Sequence, residues 1–139
     1  MRIGIDLGNV IIGGEGEDTF FSDNYLDTPE VEGAYRAFRK LAKDHEVHII
    51  SKCGPVVEER SMDWLDAEGY FYLILSQRIN FVRKRELKAP MAQALQLDIF
   101  IDDREDVLVH MEGIVAHRIL FTSWEQTNQE LEKIFDETG

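Results

Sequence analysis

Residues 3–12, "IGIDLGNVII", begin as an apolar strand and stop at a carboxylate, Asp6, with Gly8 and Asn9 turning the chain directly after it. A short apolar run closed by turn residues reads as a buried strand. The carboxylate at its end needs a partner or a task, because an unpaired buried charge is expensive. The pattern repeats along the chain. "EVHIIS" (46–51) and "YFYLIL" (70–75) read as the second and third strands, "DIFID" (98–102) and "IVAHRIL" (114–120) as the fourth and fifth.

Helical patterns lie between these runs. Thr28-Pro29-Glu30 predicts a helix start, with Thr28 as cap, proline in the first turn and an acid near the positive dipole end. Val31, Ala34, Tyr35, Phe38, Leu41 and Ala42 then recur at helical spacing. Gly54-Pro55 opens a helix over 55–68 that Gly69 ends, with Val57, Ser61, Trp64 and Leu65 on its inner face. Residues 76–89 hold a short extended piece and a basic cluster. A short helix follows at Pro90, another around Val107, Leu108 and Met111 is ended by Gly113, and a last one covers 123–136 with Trp124, Leu131, Ile134 and Phe135 facing in. Residues 13–28, rich in glycine and acids, read as a flap or loop. Strands alternating with helices predict an α/β protein: one domain over 1–139, a Rossmann-like three-layer α/β/α sandwich with a mostly parallel five-stranded sheet.

Composition narrows the partners. Hydrophobic residues make up 44% of the 139, an ordinary globular share. With 27 acidic and 15 basic residues the net charge is −12, which argues against nucleic acid and anionic membranes, since both favour a basic face. One cysteine, Cys53, excludes an internal disulfide and fits a reducing compartment; without a signal-like apolar run near the start, the expected location is the cytoplasm. Cys53 has no evident base nearby and reads as structural. His45, His48, His110 and His117 show no metal-ligand spacing on one face.

In parallel α/β sheets, ligands sit at the carboxyl ends of the strands. Those ends carry Asp6, Ser51 and Asp102-Asp103, with Lys88 at the start of the helix before the fourth strand. Taken singly, each has a simpler use: a turn former, a helix cap, a surface lysine. Their convergence at one edge is what those uses leave unexplained. Asp6 and Asp102 side by side repel each other, and a divalent cation removes the conflict; carboxylates, a backbone carbonyl and water suit magnesium. Asp6 is then placed to attack phosphorus, Ser51 and the amides after it to hold phosphoryl oxygens, and Lys88 to offset the charge of both.

The order Asp, Ser, Lys, Asp-Asp on alternating strands resembles the haloacid dehalogenase-like hydrolase superfamily, over nearly the whole chain. That family's first motif, Asp-x-Asp-x-(Thr/Val), is met by "DLGNV" at Asp6 and Val10; its second, a Ser or Thr after an apolar strand, by Ser51 in "VHIISK"; its third, a lysine, by Lys88 in "RELKAP"; its fourth, a pair of acids, by Asp102 and Asp103 in "IFIDDRED". Lys88 is preferred to Lys84 because Pro90 fixes a helix start beside it. "KAP…IDDR" is also similar to small capless members and to the deoxyribonucleotidase-like branch. The resemblance implies a magnesium-dependent phosphatase working through an aspartyl-phosphate. Asp6, Ser51 and Lys88 are then catalytic; Ser51, Lys52 and Lys88 bind substrate; Asp6, the Gly8 carbonyl, Asp102 and Asp103 hold the metal. The flap at 13–28 is too short for a helical cap, which leaves an open site for a small phosphorylated molecule or a phosphorylated macromolecule.

Gly8 departs from the family pattern. The second Asp that usually stands there acts as general acid, help worth roughly 10²–10⁴ in rate. Gly8 keeps the carbonyl and loses the acid. The competing expectation is therefore a catalytically impaired descendant that binds a metal or phosphoryl ligand as a sensor or interaction module. Substrate identity and oligomeric state are not legible in the sequence.

Overall fold

β1 (Arg2–Ile5) runs through the middle of a five-stranded, all-parallel sheet of order β3-β2-β1-β4-β5, made with β2 (Glu46–Lys52), β3 (Ile79–Val82), β4 (Ile99–Asp102) and β5 (His117–Leu120). The computed structural model describes residues 1–13 and 17–138, with side chains from 19 onward in the second stretch. Residues 14–16 of the expected flap lie outside the described residues. Of the rest of it, Glu17–Phe20 forms a short α1 and Tyr25–Asp27 a 3-10 turn.

The chain steps outward from β1 to β3, then returns to the other side of β1 for β4 and β5. Right-handed crossovers put the helices of the two excursions on opposite faces. α2 (Ala34–Asp44) and α3 (Pro55–Ala67) pack with the final α6 (Trp124–Thr138) on one face; α4 (Lys88–Ala94) and α5 (Glu105–Leu108) cover the other. Strand side chains alternate between the two cores. Ile49, Ile99 and Ile101 join Phe38, Trp64 and Trp124 on the first face, while Ile50 and Phe100 join Ala92, Leu97 and Met111 on the second. Gly4 sits opposite Phe100 in register, and a Cβ there would collide with the Phe100 ring and with Leu97. Among the described residues, no helix is long and apolar enough to cross a membrane.

Two sequence expectations fail locally. "YFYLIL" is no strand: Tyr70–Tyr72 is a 3-10 turn, and the third strand is the extended piece Ile79–Val82. Aromatic residues favour strands only when a pleated surface receives them. Here Tyr70 is fully buried in the helical layer, edge-on to Tyr35 and Phe38 with centroids 5.1 and 5.3 Å away, while Tyr72 is 91% exposed. Nor does the second helix begin at Thr28. Residues preceding proline are pushed to extended backbone, and Thr28 adopts φ −60°, ψ 129°. Pro29 and Glu30 instead run alongside Ile11–Gly13: Gly13 N donates to Pro29 O (2.8 Å) and Val31 N to Ile11 O (2.8 Å). The helix begins at Ala34, after Gly33 at φ 82°. Glu30 still serves its start, since its carboxylate accepts from Tyr35 N (3.1 Å).

Candidate active site

Strand order reverses between β1 and β4, and this is where the carboxyl ends leave a crevice. The Asp6 amide donates to the Ile101 carbonyl at 2.9 Å, so the end of β1 is tied to the end of β4. Asp6 and Asp102 therefore emerge from adjacent strands at the same edge. Both are buried, Asp102 completely. Lys88, the first residue of α4, reaches between them: Nζ donates to Asp6 Oδ1 at 3.0 Å and to Asp102 Oδ2 at 2.8 Å. The small Ala89 and Ala92 are buried beneath α4, so the helix lies close on the sheet and Lys88 is 3% exposed.

Burial pushes the Asp6 carboxyl well above the usual carboxylate range; the Lys88 charge opposes this and Asp102 adds to it. Burial raises Asp102 as well, against Lys88 and against the Arg104 amide that donates to Oδ1 at 2.9 Å. For Lys88 burial alone would favour the neutral amine, but the two carboxylates outweigh it and the ammonium is held above the ordinary lysine value. The ammonium relieves part of the repulsion that the sequence assigned wholly to a cation.

Asp103, half-buried, completes the acidic group. One oxygen each from Asp6, Asp102 and Asp103 lie within 4.8 Å of one another, the one such cluster among the described residues. Asn9 steadies Asp103, with Nδ2 donating to Oδ2 at 3.3 Å. Asn9 has φ 64°, a left-handed conformation that asparagine tolerates better than most residues. The loop it turns is held at Leu7, whose carbonyl accepts from the amides of Val10, Ile11 and Ile12 (3.4, 2.9 and 3.0 Å). Among the described residues, no backbone amide donates to the Gly8 carbonyl. Gly8 itself is not in the left-handed region, and among the described residues a Cβ there would meet nothing within 4 Å.

Asp6, Gly8, Asn9, Lys88 and Asp103 border a cleft of about 320 Å³. No protein-family model and no curated protein matches this chain. The cleft's chemistry therefore rests on its own residues. Asp6, Lys88, Ser51 and Ser61 are its buried polar members, and Lys52 stands exposed at its rim. Lys84, the competing motif lysine, is exposed and lines no part of it. Cys53 also borders the cleft, but burial pushes its thiol up, away from the reactive thiolate. Phe20, Phe21, Arg85 and Arg104 line it too, though no sequence motif singled them out. Phe20-Phe21 and the basic cluster within 76–89 are visible in the sequence only as composition; the fold reveals which members face the crevice. A wider depression of about 740 Å³ opens at the opposite end of the sheet. Its charges serve the fold: Arg2 pairs with Glu46 at 3.1 Å and its amide with Asp98 at 2.8 Å.

Proposed function

We propose that the chain is a magnesium-dependent phosphohydrolase that takes a phosphoryl group from a phosphate monoester onto Asp6. The observation that carries this reading is the Lys88 ammonium lodged between Asp6 and Asp102, beside three carboxylates with donor oxygens within 4.8 Å. A hard divalent cation fits that donor set, because its ligands are all oxygens and their negative charge exceeds what one lysine balances. Asp6, Asp102, Asp103 and the Gly8 carbonyl would hold it. When bound, the ion supplies charge neutralisation at the phosphoryl oxygens and nucleophile. The resemblance to haloacid dehalogenase-like hydrolases assigns the same residues the same tasks.

In this reading Lys88 keeps Asp6 ionised and fixes Oδ1, leaving Oδ2 to attack phosphorus. The bond to the ester oxygen breaks with its electron pair. No side chain at position 8 donates a proton, so the departing oxygen carries its charge until water protonates it. Ser51 and the amides after it bind the phosphoryl oxygens. Water then attacks the acyl phosphate at phosphorus, releasing inorganic phosphate and restoring the Asp6 carboxylate. The substrate is a small phosphorylated molecule or an accessible phosphoryl group on a larger one, met in the cytoplasm.

The missing acid makes a specific demand. The leaving oxygen gains charge in a loose transition state, so the rate depends steeply on leaving-group pKa. A series of aryl, acyl and alkyl phosphates assayed with saturating magnesium tests this: aryl and acyl esters react well and simple alkyl esters poorly. A flat dependence of the chemical step would show that another group donates the proton. Asp6→Asn reduces turnover to background in a folded protein, and retained turnover would overturn the nucleophile. Gly8 also favours a second reading, a metal- or phosphoryl-binding protein without turnover. Tight phosphoryl binding with no hydrolysis of any ester would select it.

A further inference from the structure

The basic island at residues 78–88 splits into separate tasks once folded. Arg83 is used structurally: Nη1 donates to the Cys53 carbonyl at 3.0 Å and to Glu58 at 2.9 Å. Lys88 is buried between two acids. Lys84 is exposed away from the cleft. Arg85 is different. It lines the cleft, is exposed, and forms no ion pair among the described residues. Asp106, whose carboxylate feels the Arg85 charge, is already gripped by Arg104 through two bonds of 3.0 Å.

Arg85 has a companion. Lys52 ends β2, opposite Val82 in register, and Arg85 comes three residues after Val82. Both cations are thus carried to the cleft by segments that end or follow β2 and β3, whereas Asp103 and Arg104 are carried by the segment that follows β4. They also differ in depth. Asp6, Ser51 and Lys88, the groups that would handle the transferred phosphoryl, are buried, while Arg85 and Lys52 stand exposed at the rim. In a chain of net charge −12, two cations facing an open cleft are placed for an anion that comes from outside.

We propose that Arg85, with Lys52 beside it, grips a second oxyanion of the substrate, a carboxylate or a further phosphate distinct from the phosphoryl group delivered to Asp6. The inference rests on the phosphoryl site proposed above and names the substrate class it serves. A planar guanidinium meets either oxyanion through two parallel hydrogen bonds. General attraction for anions would favour every phosphate ester alike; a gripping site favours those with the second group.

Binding without turnover tests this. Non-hydrolysable ω-carboxyalkylphosphonates and alkane bisphosphonates of increasing chain length are titrated calorimetrically into the whole chain with magnesium, each against the simple alkylphosphonate of equal length. The expected result is a preference of about 5- to 30-fold for the doubly anionic ligand at the length that spans floor to rim, in the range of a charge-assisted hydrogen bond. Arg85→Gln reduces that preference to less than about 2-fold and leaves the simple alkylphosphonate unchanged. Whichever series gains more identifies the oxyanion. Equal binding of both ligand types at every length overturns the proposal, as does a preference that survives in Arg85→Gln, or an equal loss for both ligands. No binding of any phosphonate removes the subsite together with the phosphoryl site. A preference that depends on Arg85, in a protein that hydrolyses no ester, keeps the subsite and removes only the phosphatase.

Discussion

Lys88 keeps two buried carboxylates compatible, and that makes it the most informative single residue. Its Nζ is 3.0 Å from one and 2.8 Å from the other. Removing the ammonium leaves two desolvated acids facing each other, a defect of the kind that costs about 3–5 kcal/mol. Lys88→Ala therefore lowers unfolding free energy by about that amount in urea titrations without metal, whereas exposed Lys84→Ala stays within about 0.5 kcal/mol. Phosphonate affinity follows the same order, and equal losses at the two positions would refute the assignment of Lys88 to the site. Gly8 is the complementary case, a residue defined by what it lacks. Its backbone is not left-handed and a Cβ there meets nothing within 4 Å among the described residues, which leave room for a side chain. Gly8→Asp is expected to raise alkyl phosphate turnover by about 10², at the low end of general-acid help, and to flatten the dependence on leaving-group pKa. An unchanged slope in a folded Gly8→Asp protein would show that an acid at this position does not reach the leaving oxygen.

The stretch 70–75 shows how an element's place is decided by packing. Tyr70 fills the space between α2 and α3 with its ring fully buried, and its hydroxyl has no hydrogen-bond partner among the described residues. An unpartnered buried hydroxyl costs about 1–3 kcal/mol. Tyr70→Phe should thus raise the thermal midpoint, whereas Tyr70→Ala, which empties an aromatic site, destabilises by about 3–5 kcal/mol. A Tyr70→Phe protein less stable than the parent would mean the hydroxyl is bonded in solution. The same segment marks the limit of what the sequence discloses. β1, β2 and β4 were legible because each is a short apolar run closed by a polar residue that the fold sets at one edge. β3 was not: Ile79–Val82 has only four residues beside a basic cluster, and its buried members are Ile79 and Val82. The more apolar "YFYLIL" outcompeted it on composition. At the site, Asp6, Ser51, Asp102 and Asp103 were legible by their places after strands, and Lys88 by its place at a helix start before the fourth strand. Arg85, Phe21 and Asn9 were not, since a loop residue's facing depends on the turn that carries it.

At the scale of the molecule, the sheet order gathers three acids at one point of a chain that already carries 12 excess negative charges, so the proposed metal binding would be linked to stability. Burial raises the Asp6 and Asp102 carboxyls above their ordinary values. Unfolded, the same groups release their protons at about pH 4. Between that pH and their folded values the native state holds protons the unfolded state has lost, so their contribution to stability falls as pH rises through this window. Lys88 acts in the opposite region: its raised value adds stability that persists until strongly alkaline pH. In the proposed reading a divalent cation would bind the ionised carboxylates and would stabilise the native state by mass action, about 2.7 kcal/mol at a hundredfold excess over Kd. The metal's contribution must therefore grow with pH over the window in which the protonated site loses its advantage. Thermal unfolding across a pH series, with magnesium and with a chelator, measures this directly. The gap between the two curves is expected to be small near pH 4, to widen toward neutrality, and to shrink throughout in Asp6→Asn, which retains the shape of the site and loses one ligand charge. That substitution also removes a desolvated charge while Lys88 keeps Asp102 as its partner, so the chelator-treated variant should melt above the parent at neutral pH. A gap independent of pH, or one that Asp6→Asn leaves intact, would place the cation elsewhere on the acidic surface and separate the three carboxylates from metal binding.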